Sequence, residues 1–212
     1  EQMIVAERPA QPHAFAVHAA CFTCVKDLKS ARWLSRRLTD HGIGLLRFDY
    51  TGLGESRGSF ADVTFESKVR DVLAAAAFLS KNYQPPRLLT GHSVGGAAAI
   101  VAAAQLPSVD LVSTINSPSE LRHLAVLIRR NAPSISDGRP HEMSFAGGRA
   151  VPVALPLVED FERQDLSARI AQLATSLVVF QGTHDELLTI DHAARLAAPG
   201  AGRPLVTVTV DG

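Results

Sequence analysis

The sequence is poor in three features that mark particular classes of protein: cysteine, net charge and long apolar runs. It has two cysteines among 212 residues, and 21 basic residues balance 21 acidic ones, so its formal net charge is zero. A chain without a basic excess is not typical of proteins that bind nucleic acid or anionic membranes, and we expect neither as a partner. The longest apolar run, residues 94–104, is too short to cross a bilayer and indicates a buried helix.

The two cysteines, Cys21 and Cys24, have the spacing C-x-x-C. Neither a second C-x-x-C nor an H-x-x-x-H follows, so the sequence predicts no zinc site. Two interpretations stay open: a pair of small reduced residues packed in a loop, or a redox-active pair. Reduced thiols fit the cytoplasm, which is the compartment that we expect.

The sequence also lacks a complete dinucleotide-binding motif. Gly52 and Gly54 follow a predicted strand, but Arg57 occupies the place of the third glycine and no helix begins directly afterwards. The glycines of that motif let the backbone approach a pyrophosphate at a helix N-terminus, so an incomplete set argues against such a site. We therefore expect no Rossmann-type dinucleotide site.

Strand-like and helix-like patterns alternate along most of the chain. Apolar runs predict strands at 3–6, 14–19, 43–48, 88–90, 109–115, 176–180 and 205–210. Helical spacing of apolar residues predicts helices at 28–38, 62–82, 94–104, 119–130, 159–174 and 189–198. This alternation predicts an α/β fold in which helices cover both faces of a mostly parallel, doubly wound sheet. In such sheets the working loops lie at the carboxyl ends of strands, here near His18, Asp49, Ser93, Asn116 and Asp185.

Residues 131–158 interrupt the alternation. The segment contains four prolines and the pair Gly147-Gly148, and Phe145 and 151–153 flank that pair in the manner of a small hairpin. The chain is long enough for one domain with a sizeable core. We expect a single domain over residues 1–212, with 131–158 as a minimal cap on one side.

Residues 91–95, G-H-S-V-G, form the motif on which the functional prediction rests. A G-x-S-x-G pattern between an apolar strand and an apolar helix puts a serine on a sharp strand-to-helix turn. Glycines avoid collisions there, and the first N–H groups of the helix suit a developing negative charge. The alternative is a Gly/Ser turn into an Ala-rich core helix, but the flanking elements favour Ser93 as a nucleophile.

A nucleophilic serine needs a base, usually a histidine, and a carboxylate that orients this histidine. The carboxylate is expected in the loop after a later strand, which favours Asp185 over its neighbour Glu186. An alternative role for Asp185 is to cap the helix that begins near Thr189.

None of the eight histidines stands at the expected position of the base. His92 lies inside the turn and is expected to point away from Ser93, and His184 adjoins the predicted acid too closely to lie between acid and serine. His18 and His141 are the two with plausible reach, although a lone histidine is more often structural or solvated.

At these motifs the chain resembles the α/β-hydrolase superfamily over nearly its whole length. The resemblance rests on residues 91–96, 49–56 and 182–185, and on C-F-T-C at 21–24, which is similar to bacterial hydrolases often fused to an OsmC-like domain. It implies an α/β-hydrolase fold with Ser93 as nucleophile and Asp185 as the acid. It also implies an oxyanion hole made by the backbone N–H groups of Phe22 and Val94, and a fused OsmC-like domain as a partner.

The sequence departs from that family at two places. Ala20 stands where the family has a histidine before C-F-T-C, and His18 lies two residues earlier. The family's catalytic histidine follows the last strand, whereas this sequence stops at Asp211-Gly212; the family's first strand and final helix also have no counterpart. We therefore expect a chain truncated at both ends, with the catalytic histidine beyond residue 212.

Together these features predict a serine hydrolase that transfers the acyl group of a small ester, thioester or amide, without metal or cofactor. One alternative is a hydrolase-like module that binds a ligand but does not catalyse. The other is a thiol-redox role for Cys21 and Cys24.

Overall fold

The structure, a computed structural model, describes residues 4–144, 150–198 and 202–211. Its strands are β1 (Ile4–Glu7), β2 (Ala14–Ala19), β3 (Ile43–Phe48), β4 (Leu88–His92), β5 (Leu111–Ile115), β6 (His141–Met143), β7 (Val151–Val153), β8 (Ser176–Gly182) and β9 (Leu205–Val210). The large sheet has the order β1-β3-β2-β4-β5-β8-β9, and β6 pairs with β7 separately. All neighbours in the large sheet are parallel except β1 and β3. The predicted mostly parallel sheet is thus confirmed.

The α-helices in these ranges are α1 (Lys29–Asp40), α2 (Phe65–Asn82), α3 (Val94–Ala103), α4 (Arg122–Asn131), α5 (Leu155–Arg163), α6 (Leu166–Ala171) and α7 (Ile190–Leu196). The chain moves from β2 to β3 through α1, and then back past β2 to β4 through α2. Because such crossovers are right-handed, this reversal puts α1 and α2 on opposite faces of the sheet. Among the described helices, none is both long and apolar enough to cross a membrane.

The reversal of direction also fixes where a ligand can bind. β2 and β4 are neighbours, and their register pairs Ala19 with Gly91. The loops that leave these two strands therefore start side by side at the carboxyl edge of the sheet and turn towards opposite faces. This is the switch point at which open parallel sheets bind their ligands.

Local sequence explains helices α2 and α3, which precede and follow β4. The N-terminus of α2 has a capping box, in which the Thr64 side chain accepts from the Ser67 N–H and the Ser67 side chain accepts from the Thr64 N–H. Helix α3 is buried on all sides because its residues are alanine, glycine, valine and isoleucine. Such small side chains let α3 pack closely between α2 and the sheet.

One predicted helix is divided in the structure, and one predicted hairpin is present. The helix expected at 159–174 is divided into α5 and α6, because Asp165 accepts a hydrogen bond from the Ala168 N–H at 3.0 Å and starts a new helix. The hairpin expected near 151–153 exists, with β6 as the partner of β7. Phe145 and Gly147-Gly148, on which that prediction drew, lie outside the described residues.

Candidate active site

Ser93 occupies the tight turn between β4 and α3. Its backbone has φ 54° and ψ −131°, a region that costs a residue other than glycine about 1–3 kcal/mol. The Ser93 N–H donates to the carbonyl oxygen of Ile115 at 2.9 Å, which ties the turn to β5. Its side chain does not cap α3. The hydroxyl on this strained turn is therefore not used to cap the helix that it precedes.

The glycine at position 95 allows this turn to pack against the end of β2. A Cβ atom at Gly95 would collide with the carbonyl oxygens of Ala19 and Ala20. Only a residue without a side chain lets the first turn of α3 come this close to the loop after β2. The N-terminus of α3 and the Phe22 loop are adjacent for this reason.

Asp185 follows β8 and is held by three hydrogen bonds. Its Oδ1 accepts from the N–H groups of Leu187 and Leu188 at 3.0 and 2.8 Å, and its Oδ2 accepts from Asn116 Nδ2 at 2.7 Å. The alternative role as the cap of α7 is wrong, because the N-cap residue is Thr189. Glu186, the lesser candidate, is exposed.

A cavity of about 140 Å³ brings the predicted residues together. Ser93, Val94, Phe22 and Asp185 all line it, and the remaining lining is Cys21, His92, Asn116, Leu124, Ile128, Phe161, Leu187 and Leu188. The apolar residues come mainly from α4, α5 and the loop after β8. Such a mostly apolar cavity with a few convergent polar groups is typical of a small-molecule site.

The two predicted oxyanion donors are the backbone N–H groups of Phe22 and Val94, two residues that line the same cavity. Val94 is the first residue of α3, so its N–H has no partner four residues earlier within the helix. The ring of Phe22 packs between those of Phe60 and Phe161, at centroid distances of 5.4 and 5.8 Å. This aromatic packing fixes the position of the loop after β2.

Lys68, a residue of α2, lies beneath that loop and is fully buried. Its Nζ donates to the carbonyl oxygen of Phe22 at 3.0 Å and lies 3.9 Å from the ring centre of Tyr50. Burial lowers the pKa of Lys68 to about 7, and the charge of Asp71 opposes this shift. A lysine with these surroundings loses its charge far more easily than a solvated one.

The histidines considered as the base differ in their relation to the cavity. His92 is one of the residues that line it, and a nitrogen of its ring lies within 4.8 Å of the sulfur atoms of Cys21 and Cys24. Burial lowers its pKa, while the nearby Asp185 carboxylate opposes the shift. His18 is buried in β2, and burial lowers its pKa to about 4, with contributions from His92 and Arg47. A histidine buried in this way does not reach the cavity.

The other candidate base, His141, lines a neighbouring groove that shares Leu187 with the cavity. Within the described ranges, every hydrogen bond to the Asp185 side chain comes from Asn116 or from backbone N–H groups. No histidine of this part of the chain therefore orients itself on the predicted acid.

Cys21 and Cys24 form a disulfide, with their Cα atoms 5.1 Å apart. Of the two interpretations that the sequence leaves open, the disulfide excludes a pair of reduced thiols in this structure, and the redox role stays a prediction. The Cys24 N–H donates to the carbonyl oxygen of Cys21 at 3.3 Å, so the two residues close a turn around Phe22 and Thr23. The disulfide borders the cavity, because Cys21 is one of its lining residues.

Comparison with known proteins agrees with this fold. The family model described as serine aminopeptidase, S33, matches residues 28–123. Monoglyceride lipase of Rattus norvegicus is 34% identical over 139 residues, which cover 59% of this chain and 44% of that protein. The chain thus spans less than half the length of this curated relative.

Two solved structures are similar over the whole chain. The esterase domain of a Rhodothermus marinus protein is 30% identical, with a TM-score of 0.70 over 100% of this chain and 88% of that one. A monoacylglycerol lipase from Paleococcus ferrophilus is 16% identical, with a TM-score of 0.76 over 100% and 89% of the two chains. The fold and the turn at Ser93 define an α/β hydrolase. The chain belongs to the α/β-hydrolase superfamily.

The sequence places Asn116 at a working loop without giving it a role, argues against His92 as the base, and does not single out Lys68. Asn116 has a recognisable signal, because it is a polar residue at the carboxyl end of a strand. Lys68 lies on the buried stripe of α2, where a charged residue is rarely expected. The side-chain direction of His92 depends on the turn geometry and has no signal in the sequence.

Proposed function

We propose that this protein is a serine hydrolase that cleaves small carboxylic esters by acyl transfer through Ser93. The observation that carries the proposal is the convergence of the strained Ser93 turn, the anchored Asp185 carboxylate and the two predicted oxyanion donors on one cavity. The names of the similar proteins, an esterase domain and monoglyceride lipase, support an ester as the substrate. Residues 131–158 then act as a small cap beside the cavity within one hydrolase domain.

In this mechanism Ser93 Oγ attacks the ester carbonyl carbon while a histidine takes its proton. The charge on the tetrahedral oxygen is stabilised by the N–H groups of Phe22 and Val94, and one such donor is worth about 3–4 kcal/mol. The same histidine gives its proton to the leaving alcohol, and water then hydrolyses the acyl-enzyme. We propose that this histidine lies beyond residue 212 and that Asp185 orients it.

The cavity favours an ester with a short acyl group. Its volume of about 140 Å³ and its lining by Leu124, Ile128 and Phe161 suit a few methylene groups rather than a charged acid. The C-F-T-C loop supports a fused OsmC-like domain as a partner on the same polypeptide. The Cys21–Cys24 disulfide removes the reduced-thiol argument on which a cytoplasmic location rests.

Labelling with a fluorophosphonate probe tests the proposal. The probe is applied to residues 1–212 and to the protein extended to the end of its gene, each with Ser93→Ala and with Ser134→Ala as an exposed-serine control. We expect strong labelling of the extended protein and its Ser134→Ala variant, and none of Ser93→Ala. Absence of labelling in folded samples of both lengths would refute the proposal and leave a non-catalytic binding module.

A further inference from the structure

The disulfide and His92 meet at the edge of the sheet although they are distant in sequence. The Cys21 loop leaves β2 directly after Ala19, and His92 is the last residue of β4. Because Ala19 pairs with Gly91 in the β2–β4 register, both segments emerge from the sheet side by side. One ring nitrogen of His92 and the two Sγ atoms lie within 4.8 Å of one another, and all three residues are half-buried.

We propose that reduction of the Cys21–Cys24 disulfide creates a binding site for a soft divalent cation, Zn²⁺ above all, formed by the two thiolates and the imidazole of His92. Zinc takes Cys and His ligands in tetrahedral geometry, and a site with three protein ligands keeps a position open. The proposal concerns a state that the oxidised chain cannot adopt, because a disulfide sulfur is no longer a thiolate ligand.

The backbone is already arranged for such a site. A C-x-x-C turn is a common way to present two thiolates to one zinc ion, and the hydrogen bond from the Cys24 N–H to the Cys21 carbonyl forms such a turn here. Ligand atoms around a tetrahedral zinc lie about 3.5–3.8 Å apart, given bonds of about 2.3 Å to sulfur and 2.0–2.1 Å to nitrogen. Separations within 4.8 Å can therefore close through side-chain rotation after the sulfurs part.

The donor atoms also select the metal. Thiolate and imidazole ligands favour Zn²⁺ over Mg²⁺ or Ca²⁺, which prefer oxygen. Two thiolates carry two negative charges and balance the cation, which suits a half-buried position.

The redox step balances with a dithiol as the reductant. Two electrons and two protons pass from the dithiol to the protein, which gains two thiols, and the dithiol becomes a disulfide. When Zn²⁺ binds, the two thiols release their protons to solvent. Since Cys21 and His92 line the cavity of Ser93, a bound cation occupies the wall against which an ester would lie. Reduction in the presence of zinc should therefore restrict access to Ser93.

The amount of metal bound by the oxidised and by the reduced protein tests this site independently of hydrolysis. The protein is either oxidised or reduced with a phosphine, equilibrated with Zn²⁺ or Co²⁺, and freed of excess metal. We expect one metal ion per reduced chain and none per oxidised chain, with thiolate-to-cobalt charge transfer in the Co²⁺ form. The matched controls are Cys21→Ser/Cys24→Ser, which should bind no metal, and His141→Asn, which should bind as the unaltered chain does.

The contribution of His92 is measured with His92→Asn, which should weaken zinc binding at least tenfold. Equal zinc affinity in that variant would overturn the three-ligand site, and equal binding by the oxidised chain or by the double serine variant would overturn the proposal entirely. In the reduced protein, zinc should also slow fluorophosphonate labelling of Ser93. Zinc binding without any labelling would leave this site intact and contradict only the hydrolase proposal.

A separate observation concerns Lys68, and the inference from it rests on the proposed hydrolase function. Its Nζ donates to the carbonyl oxygen of Phe22, the residue whose N–H is the predicted oxyanion donor. Three aromatic rings surround the amine, with centres at 3.9 Å for Tyr50 and 5.3 Å for both Phe22 and Phe60. We infer that Lys68 is a positioning residue that holds Phe22 in the orientation needed to bind the oxyanion.

Lys68 can have this role because a loop keeps one backbone conformation only when its N–H and C=O groups have fixed hydrogen-bond partners. The lysine reaches from α2 to the loop after β2, and its amine is entirely buried, so water cannot replace the hydrogen bond. A pKa of about 7, lowered by burial, lets the amine remain at this position without the full cost of a buried charge.

Lys68→Met tests the inference, because it keeps an unbranched stem and removes the donor. In the full-length protein we expect kcat to fall at least tenfold with little change in KM, and affinity for a tetrahedral boronate inhibitor to fall in parallel. Lys81→Met, at an exposed position of the same helix, should change neither. Lys68→Gln, which keeps an N–H donor, should lie between the two and serves if the methionine variant does not fold.

A merely structural role would change stability but not the ratio of boronate affinity to product affinity. Unaltered kcat in a folded Lys68→Met variant, or a loss of kcat without loss of boronate affinity, would overturn the inference. If the fluorophosphonate labels Ser93 in the unaltered protein, the hydrolase proposal stands. Either of these two results then contradicts only the role of Lys68.

Discussion

Asn116 connects the loop after β5 to the predicted acid: its Nδ2 donates to Asp185 Oδ2 at 2.7 Å, and its Oδ1 accepts from the Gly182 N–H at 2.8 Å. Its backbone has a positive φ of 43°, which asparagine tolerates better than most residues. The side chain thus bridges the ends of two neighbouring strands. Because the Asp185 carboxylate also accepts two backbone N–H groups, its orientation is fixed before any histidine contacts it.

Replacement of Asn116 should therefore lower activity without removing it. Asn116→Ala deletes one hydrogen bond to a charged group, worth about 1.5–3 kcal/mol, and leaves Asp185 with its backbone donors. We expect kcat/KM for a short-chain ester to fall by about 10-fold to 100-fold in the full-length protein. Asn131→Ala, at the end of α4, is the control, and an Asn116→Ala variant as active as this control would contradict the prediction.

Gly95→Ala should destabilise the protein because of a collision with backbone. In an ordinary helix this change stabilises by about 1 kcal/mol. Here the new Cβ would meet the carbonyl oxygens of Ala19 and Ala20, so we expect a loss of about 3 kcal/mol in the free energy of unfolding. Urea denaturation measures it.

Gly138→Ala is the matched control for that change. Gly138 has a positive φ of 78°, but a Cβ there meets no atom within 4 Å. Backbone strain alone should cost about 1–2 kcal/mol. If the two variants lose the same stability, close packing of α3 on β2 does not explain the glycine at position 95.

The buried His18 should make the fold less stable in mild acid. Its pKa of about 4 in the folded chain lies below the ordinary value of 6.5, so the unfolded chain binds a proton there first. The contribution of neutral His18 to the free energy of unfolding is therefore complete above pH 6.5 and is lost as the pH falls towards 4. Between pH 7 and pH 5 we expect His18 to account for a loss of about 2 kcal/mol in the free energy of unfolding.

Comparison with His18→Asn measures this contribution. The variant should show a shallower pH dependence over the same interval, whatever its stability at pH 7. His92 and His192, whose pKa values burial also lowers, should retain a smaller slope in the same direction. Identical slopes in the two proteins would show that folding does not lower the pKa of His18, and would contradict the prediction.

Leu124→Ala should shift substrate preference towards longer acyl chains. Leu124 lines the cavity from α4, and its replacement enlarges the space beside Ser93. One methylene group in an apolar pocket is worth about 1–3 kcal/mol, so the kcat/KM ratio for longer over shorter esters should rise about tenfold or more. Leu127→Ala, which enlarges the neighbouring groove instead, should leave that ratio unchanged.

Much of the architecture could be predicted because it depends on local patterns. The alternation of strands and helices, the turn at Ser93 and the place of Asp185 after β8 all follow from hydrophobic period and turn residues. The division of α5 from α6 was missed, because the capping role of Asp165 competes with a continuous helical pattern. The state of the cysteine pair stays open in the sequence, since spacing alone does not report whether two sulfurs are bonded.

The sequence by itself determined the α/β class, the sharp turn that presents Ser93 and the strand after which Asp185 lies, because each depends on neighbours within one or two turns of chain. The tertiary structure decided what surrounds them: Asn116 against Asp185, Lys68 beneath Phe22, and His92 beside the disulfide. These contacts join segments whose separation along the chain carries no periodic signal. They follow from the strand order and register of the sheet, which bring the carboxyl ends of β2, β4, β5 and β8 to one edge.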